Sequence, residues 1–302
     1  VYAASFSGFY LAMMLTLFAL FLRPLALEYR SKIDNEQWRS RWDWLLTLGS
    51  AVPALIFGVA FGNLLQGVPF QFDNLLRLDY TGNLLGLLNP FALLAGVLSL
   101  LMFVNHGAAY LQLKSEGQIK ARSERIASLL SLTCAVLFVL GGVWLWLGVD
   151  GYQVVSVIDT NGANHTTDKV VEVVSGAWFN NYGKQPLLWL VPALGVIGFV
   201  LCSLFSRLTW HVSAFVSSAL AMAMVLVTTG ISMFPFVMPS SLMPNHSLTM
   251  WDATASETTL SIMFVVACVF VPLILAYTAW GYFVMRGRLN EQQIRDNTHS
   301  MY

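Results

Sequence analysis

Charge is what this sequence has least of. Only 11% of its 302 residues are Asp, Glu, Lys or Arg, with 16 basic and 16 acidic. A soluble domain carries roughly 25%. So little polar surface cannot cover a water-soluble globule of this size, and zero net charge leaves no global field to draw in nucleic acid or acidic partners. Cysteine is scarce as well. Cys134, Cys202 and Cys268 each sit in an apolar run and form no CxxC. That excludes a thioredoxin-like or c-type haem-attachment motif and leaves small apolar packing as their reading. The chain contains no GxxxxGK[ST], no HExxH, no GxSxG and no GxGxxG after a strand, so the common phosphate, zinc and hydrolase signatures are missing. It opens with Val rather than Met, inside an apolar stretch with no signal peptide ahead of it, so the natural N-terminus is expected to lie upstream.

What is abundant is hydrophobicity: 57% of residues, with a mean hydropathy of +0.65. About 20 apolar residues of helix cross a bilayer core. Seven stretches qualify, at about 3–22, 44–66, 84–108, 126–148, 187–205, 211–235 and 259–284, and none contains an Asp, Glu, Lys or Arg. Lipid cannot satisfy open strand edges, so the expected fold class is all-α, a polytopic transmembrane helix bundle in one domain. Pro53, Pro90, Pro192 and Pro272 are expected to bend their helices.

The loops divide by charge. One alternate set holds thirteen basic residues: Arg23, Arg30, Lys32, Arg39 and Arg41; Lys114, Lys120, Arg122 and Arg125; Arg207; Arg286, Arg288 and Arg295. The other holds three, Arg77, Lys169 and Lys184. The positive-inside rule places the first set and the C-terminus in the cytoplasm, an alternation that an odd number of spans preserves. Trp38, Trp42, Trp44, Trp144, Trp146, Trp280 and Tyr282 fall where interfacial anchors belong.

The first basic loop predicts a helical hairpin turning near Ile33–Asp34, with a Glu28–Lys32 pair and an Asp34/Gln37 capping box. In the outer loop 149–186, residues 168–181 read as a short amphipathic helix, with a β-hairpin as the alternative because the segment is rich in Val. Outer loop 235–258 carries Phe236, Met238, Met243, Met250 and Trp251, too apolar for a free linker, and is expected to fold over the bundle or onto a partner. Two Asn-X-Ser/Thr sequences, at Asn164 and Asn245, occur commonly by chance.

Candidates for chemistry are few. Met102 and His106 share a helix face at i,i+4, and haem iron takes both residue types, but His106 beside Asn105 near a helix end reads as a polar cap. His211 is explained by an interfacial position; His165, His246 and His299 lie in loops or the tail. Asn63, Gln66, Asn83 and Asn89 are expected to cap helices or bond between them, and Gly141, Gly142, Gly148 and Gly151 to permit close helix contact. The absence of midplane charge argues against a transporting or proton-relaying role.

Three stretches go further: LRPLALEYRSK at 22–32, FGNLLQGVPFQFDNLLRLDYTGNLLGLLNPFALLAG at 61–96 and FPFVMPSSLMPNHSLTMWDAT at 234–254. In this order and at these spacings the chain resembles subunit II of the cytochrome bd ubiquinol oxidases, with a tail, NEQQIRDNTHSMY, that fits too. The resemblance implies nine spans, of which this chain supplies the last seven. The first two, which bear the family's N-terminal acids and its WDGNQVWL-like motif, have no counterpart here. It also implies an assembly in the bacterial cytoplasmic (inner) membrane that oxidises ubiquinol, reduces dioxygen to water and generates a proton-motive force, with haem b and haem d bound by subunit I. Subunit II packs against subunit I, with small accessory subunits in some complexes and a structural ubiquinone in some members. A sister group of cyanide-insensitive oxidases is close. No catalytic, cofactor-binding or metal residue is carried over. Trp251 and Asp252 are the expected partner-interface residues. The rival class is a secondary transporter or permease fragment, which would need polar midplane groups and an internal repeat.

Overall fold

A computed structural model describes residues 2–158, 164, 166–284 and 286–288. The tail 290–302, His165 and His299 lie outside the described residues. The elements are α1 (Tyr2–Gly8), α2 (Tyr10–Tyr29), α3 (Glu36–Gln66), β1 (Phe70–Phe72), β2 (Leu78–Tyr80), α4 (Pro90–Lys114), α5 (Gly117–Gly148), β3 (Asp150–Val154), β4 (Val171–Ser175), α6 (Asn180–Lys184), α7 (Leu190–Arg207), α8 (His211–Met233), β5 (Phe236–Met238), β6 (Leu248–Thr249) and α9 (Glu257–Val284). Among the described residues, seven helices are long and apolar enough to cross a membrane. The molecule is an all-α polytopic bundle.

Several edges differ from the sequence reading, each for a local reason. The first span is interrupted at Phe9 and continues to Tyr29, with Pro24 inside it. The third span begins at Pro90 rather than 84. Asn89 caps it by accepting the Ala92 N–H at 2.8 Å, and proline at the first helical position needs no N–H partner, so Pro90 starts the helix instead of bending it. At the hairpin turn the cap is Asn35, which accepts from the Gln37 and Trp38 N–H groups. Asp34 pairs instead with Arg39 at 3.0 Å, while Glu28–Lys32 forms as expected at 3.3 Å. Trp38 donates to the Tyr29 carbonyl and Trp42 stacks on Tyr29, so these two indoles clasp the turn as well as sitting at its edge.

The helices α4, α5, α7 and α8 close into a ring, and α3 joins α2 to it along α4. Lipid offers no hydrophobic drive between helices, so small residues decide where backbones meet. Gly58 and Gly62 of α3 form a GxxxG pair against α4. A Cβ on Gly58 would lie 2.3 Å from the Ala95 carbonyl oxygen, and one on Gly62 would lie 2.7 Å from the Ala92 Cα. Of the glycines expected to play this part, Gly142 has nothing within 4 Å and Gly141 meets only a Leu94 methyl.

Three antiparallel hairpins, β1–β2, β3–β4 and β5–β6, gather at the end of the bundle opposite the basic loops. Residues 171–175 are therefore strand β4, and only Ala177–Phe179 and α6 are helical; the amphipathic-helix reading of 168–181 gives way to the hairpin. Helix α9 stands apart. None of its residues is buried, and Cys268 faces outward with the rest, unlike the buried Cys134 and Cys202.

Candidate functional site

The hairpins form a cap over the bundle. Segment 235–258 spends its apolar groups on the chain itself: Phe236, Met238 and Leu248 are buried, and Ser240 makes a parallel bridge with Val68 and donates to the Phe70 carbonyl. Met243 and Met250 stay exposed. Gly67 turns the chain from α3 into this cap at φ +85°. A side chain there would also strike the Tyr152 hydroxyl, which donates to the Gln66 carbonyl. Burial, with Asp150 nearby, pushes the Tyr152 phenol up to about 12.

Asp252 and Trp251, the residues singled out from sequence, are both in the cap, but they do different things. Asp252 forms an ion pair with Lys169 of the β3–β4 loop, the two side chains only 2% and 4% exposed. Its other oxygen accepts the Thr249 N–H at 2.8 Å, and Lys169 also donates to the Thr166 carbonyl. Burial lowers the Lys169 pKa below its ordinary value, although the hydrogen bond and charge of Asp252 pull the other way. Desolvation thus outweighs the pairing, the usual balance for a buried salt bridge. Trp251 is half-buried and edge-on to Phe234. Beside it, His246 accepts the Phe72 N–H at Nδ1, and burial with the Lys169 charge lowers its pKa. Asn245 accepts the Val171 N–H, so the Asn245 side chain is a structural tie between hairpins.

The polar groups of the spans fall into two sets. Near the cap, Asn63 donates to the Val59 and Leu87 carbonyls and accepts from Asn89, and Asn83 caps the Gly86 N–H, as expected of them. Toward the basic end a seam runs inside the ring. Arg207 donates to Ser128, Ser128 and Ser203 are 3.0 Å apart, Gln112 donates to Ser206, Asn105 lies 4.0 Å from the Cys202 sulfur, and Ser131 donates to the Phe199 carbonyl. His211 meets Glu124 at 2.7 Å at its charged end. Composition gave no hint of this seam; the i,i+7 spacing of Asn105 and Gln112 and the i,i+4 spacing of Cys202 and Ser206 were its signal.

His106 is held by Ser218 at Nδ1, 2.8 Å away, and stacks on Phe215 with ring centroids 4.8 Å apart, while Met102 is buried among the helices. Among the described residues no group of three or more His, Cys, Asp or Glu could hold a metal ion.

Comparison with known proteins agrees with this architecture. The family profile of cytochrome bd terminal oxidase subunit II matches residues 1–285. The chain is 52% identical over 302 residues to the cytochrome bd-I ubiquinol oxidase subunit 2 of Escherichia coli (strain K12), covering all of this chain and 80% of that protein. It is 53% identical to the probable cytochrome oxidase subunit 2 of Haemophilus influenzae with the same coverage. It is 28% identical over 294 residues to the cytochrome bd ubiquinol oxidase subunit 2 of Bacillus subtilis, covering 97% of this chain and 77% of that one. With seven membrane-length helices, a profile match along nearly its whole length and half its residues shared with such relatives, the chain belongs to the cytochrome bd terminal oxidase subunit II family.

Proposed function

We propose that this chain is the subunit that ligates no haem in an oxidase that takes electrons from ubiquinol, reduces dioxygen to water and generates a proton-motive force. In this reading it packs against subunit I, which binds haem b and haem d, and shields that subunit's cofactors from lipid and water. A structural ubiquinone and small accessory subunits belong to the same reading, as does a C-terminus in the cytoplasm, which the basic loops support. The observation that carries the partnership is α9, apolar over most of its length beyond the first turn, with none of its residues buried by this chain. The partner-facing patch of the cap is assigned to Trp251 with the exposed Met243 and Met250, and Asp252 supports it from beneath through Lys169.

Reduced-minus-oxidised spectra of membranes test the assembly. Haem b and haem d bands that need both this gene, complete, and the gene for subunit I are expected; bands that survive without this gene would reject it. Trp251→Ala is expected to reduce co-purification with subunit I severalfold while the subunit still folds; undiminished co-purification would remove the cap from the interface.

A further inference from the structure

The seam between α4, α5 and α7 holds two amides whose oxygens have no partner. Asn105 and Gln112 are 0% and 1% exposed, and neither Asn105 Oδ1 nor Gln112 Oε1 receives a hydrogen bond from the protein. Turning either amide about would only exchange an orphan acceptor for an orphan donor. A buried carbonyl left without a partner carries its full desolvation penalty, and native interiors leave very few such groups unanswered. Two of them on one face of one helix, two turns apart, call for a common answer.

The surroundings specify its chemistry. Donors and acceptors of both kinds stand around the two amides: the Ser206 hydroxyl that accepts from Gln112, the Cys202 thiol beside Asn105, and the hydroxyl of Ser131 near that thiol. All are small and uncharged, and a buried water makes about three hydrogen bonds to groups of this kind. The seam begins at the basic end, where Arg207 bonds Ser128 and Glu124 meets His211. Asn105 lies nine residues before the Lys114 end of α4, ~14 Å along the axis at 1.5 Å per residue. Beyond it the ring closes with Leu98, Met102, Phe199 and Val225.

We propose that this seam is a water-binding inlet, open to the basic end, filled past Gln112 to Asn105 and sealed above Cys202 by the apolar cluster. The aqueous phase on that side then reaches toward the bilayer midplane and stops at the apolar cluster of Leu98, Met102, Phe199 and Val225. Hydroxyls, a thiol and bound water form a path along which protons exchange without any Asp, Glu, Lys or Arg at that depth. Hydration of the seam does not depend on which side of the membrane the basic end faces.

The Cys202 thiol is a built-in reporter. In the intact purified oxidase, the infrared S–H band of Cys202 is isolated by subtracting the spectrum of Cys202→Ala. On transfer to D2O it is expected to become S–D within minutes, and about tenfold more slowly in Asn105→Leu/Gln112→Leu, whose assembly is checked by its haem spectrum. An S–H band that survives for hours in the wild type would overturn the proposal. So would unchanged exchange in an assembled double variant, since water would then arrive by another route. If the double variant does not assemble, Asn105→Leu alone takes its place, and the wild-type measurement decides whether the seam is wet.

Discussion

The helices of the ring, α4, α5, α7 and α8, and the lone helix α9 are all apolar enough to cross a membrane, yet among the described residues the ring is tightly joined and α9 touches little of this chain. The ring helices carry small and polar residues on their inward faces. Gly198 of α7 sits against Ala221 of α8, and Ser128 of α5 bonds Ser203 of α7. Among the described residues the meetings at the far end of α9 are edge contacts: Tyr282 against Tyr110 at 6.3 Å between ring centroids, and Arg288, just beyond the helix, 4.0 Å from Glu116. Hydrophobicity puts a helix in the membrane; it does not choose a neighbour there, because lipid is as apolar as leucine. Small residues and paired polar groups make that choice. Helix α9 buries none of its small or polar residues against this chain and is left for another surface.

The sharpest way to break the comparison is at the cap that closes the ring. Lys169→Met strands a buried carboxylate and is expected to cost about 3–5 kcal/mol, seen as faster hydrogen exchange across 236–250 in the purified complex. Lys169→Met/Asp252→Leu leaves no charge buried alone and is expected to recover part of that loss, the remainder being the Thr249 N–H that loses its acceptor. Next is helix contact. Gly58→Leu forces a side chain into the Ala95 carbonyl and is expected to cost about 3 kcal/mol, read as a lower thermal midpoint. Gly281→Leu on α9 has open space around it, so the subunit's own fold should be unchanged and any effect confined to association with subunit I.

The smallest effect concerns pH. The His246 pKa is held below its ordinary 6.5, so the unfolded cap binds the proton more readily than the folded one. The stability this histidine contributes is present above pH 6.5 and is lost as pH falls through that window toward the folded value. Protection of 236–250 from exchange should decline there, and His246→Gln, which keeps an acceptor for the Phe72 N–H, should flatten the decline.

Much of the architecture was legible because its signals are local. Each long span is a run of apolar residues, and an apolar run without charge has one stable form in lipid. The apolar groups of 235–258 likewise announced a loop that folds back. Local signals misled where two short-range options were nearly equal. Asp34 and Asn35 are both good caps, and the choice fell to Asn35 because Arg39 takes Asp34. The Val-rich 171–175 became a strand because Asp150–Val154 lies opposite to pair with it.

By itself, then, the sequence determined that this is a membrane bundle of seven spans, with one basic end and an apolar outer loop, because hydropathy and charge act on segments one at a time. Only the tertiary structure decided that Asp252 is spent on Lys169, that Gly58 and Gly62 are where α3 meets α4 closely, that Asn105 and Gln112 share a seam, and that α9 is left bare. Each of those is a property of pairs of residues far apart in the chain, and their meeting depends on which helix faces which.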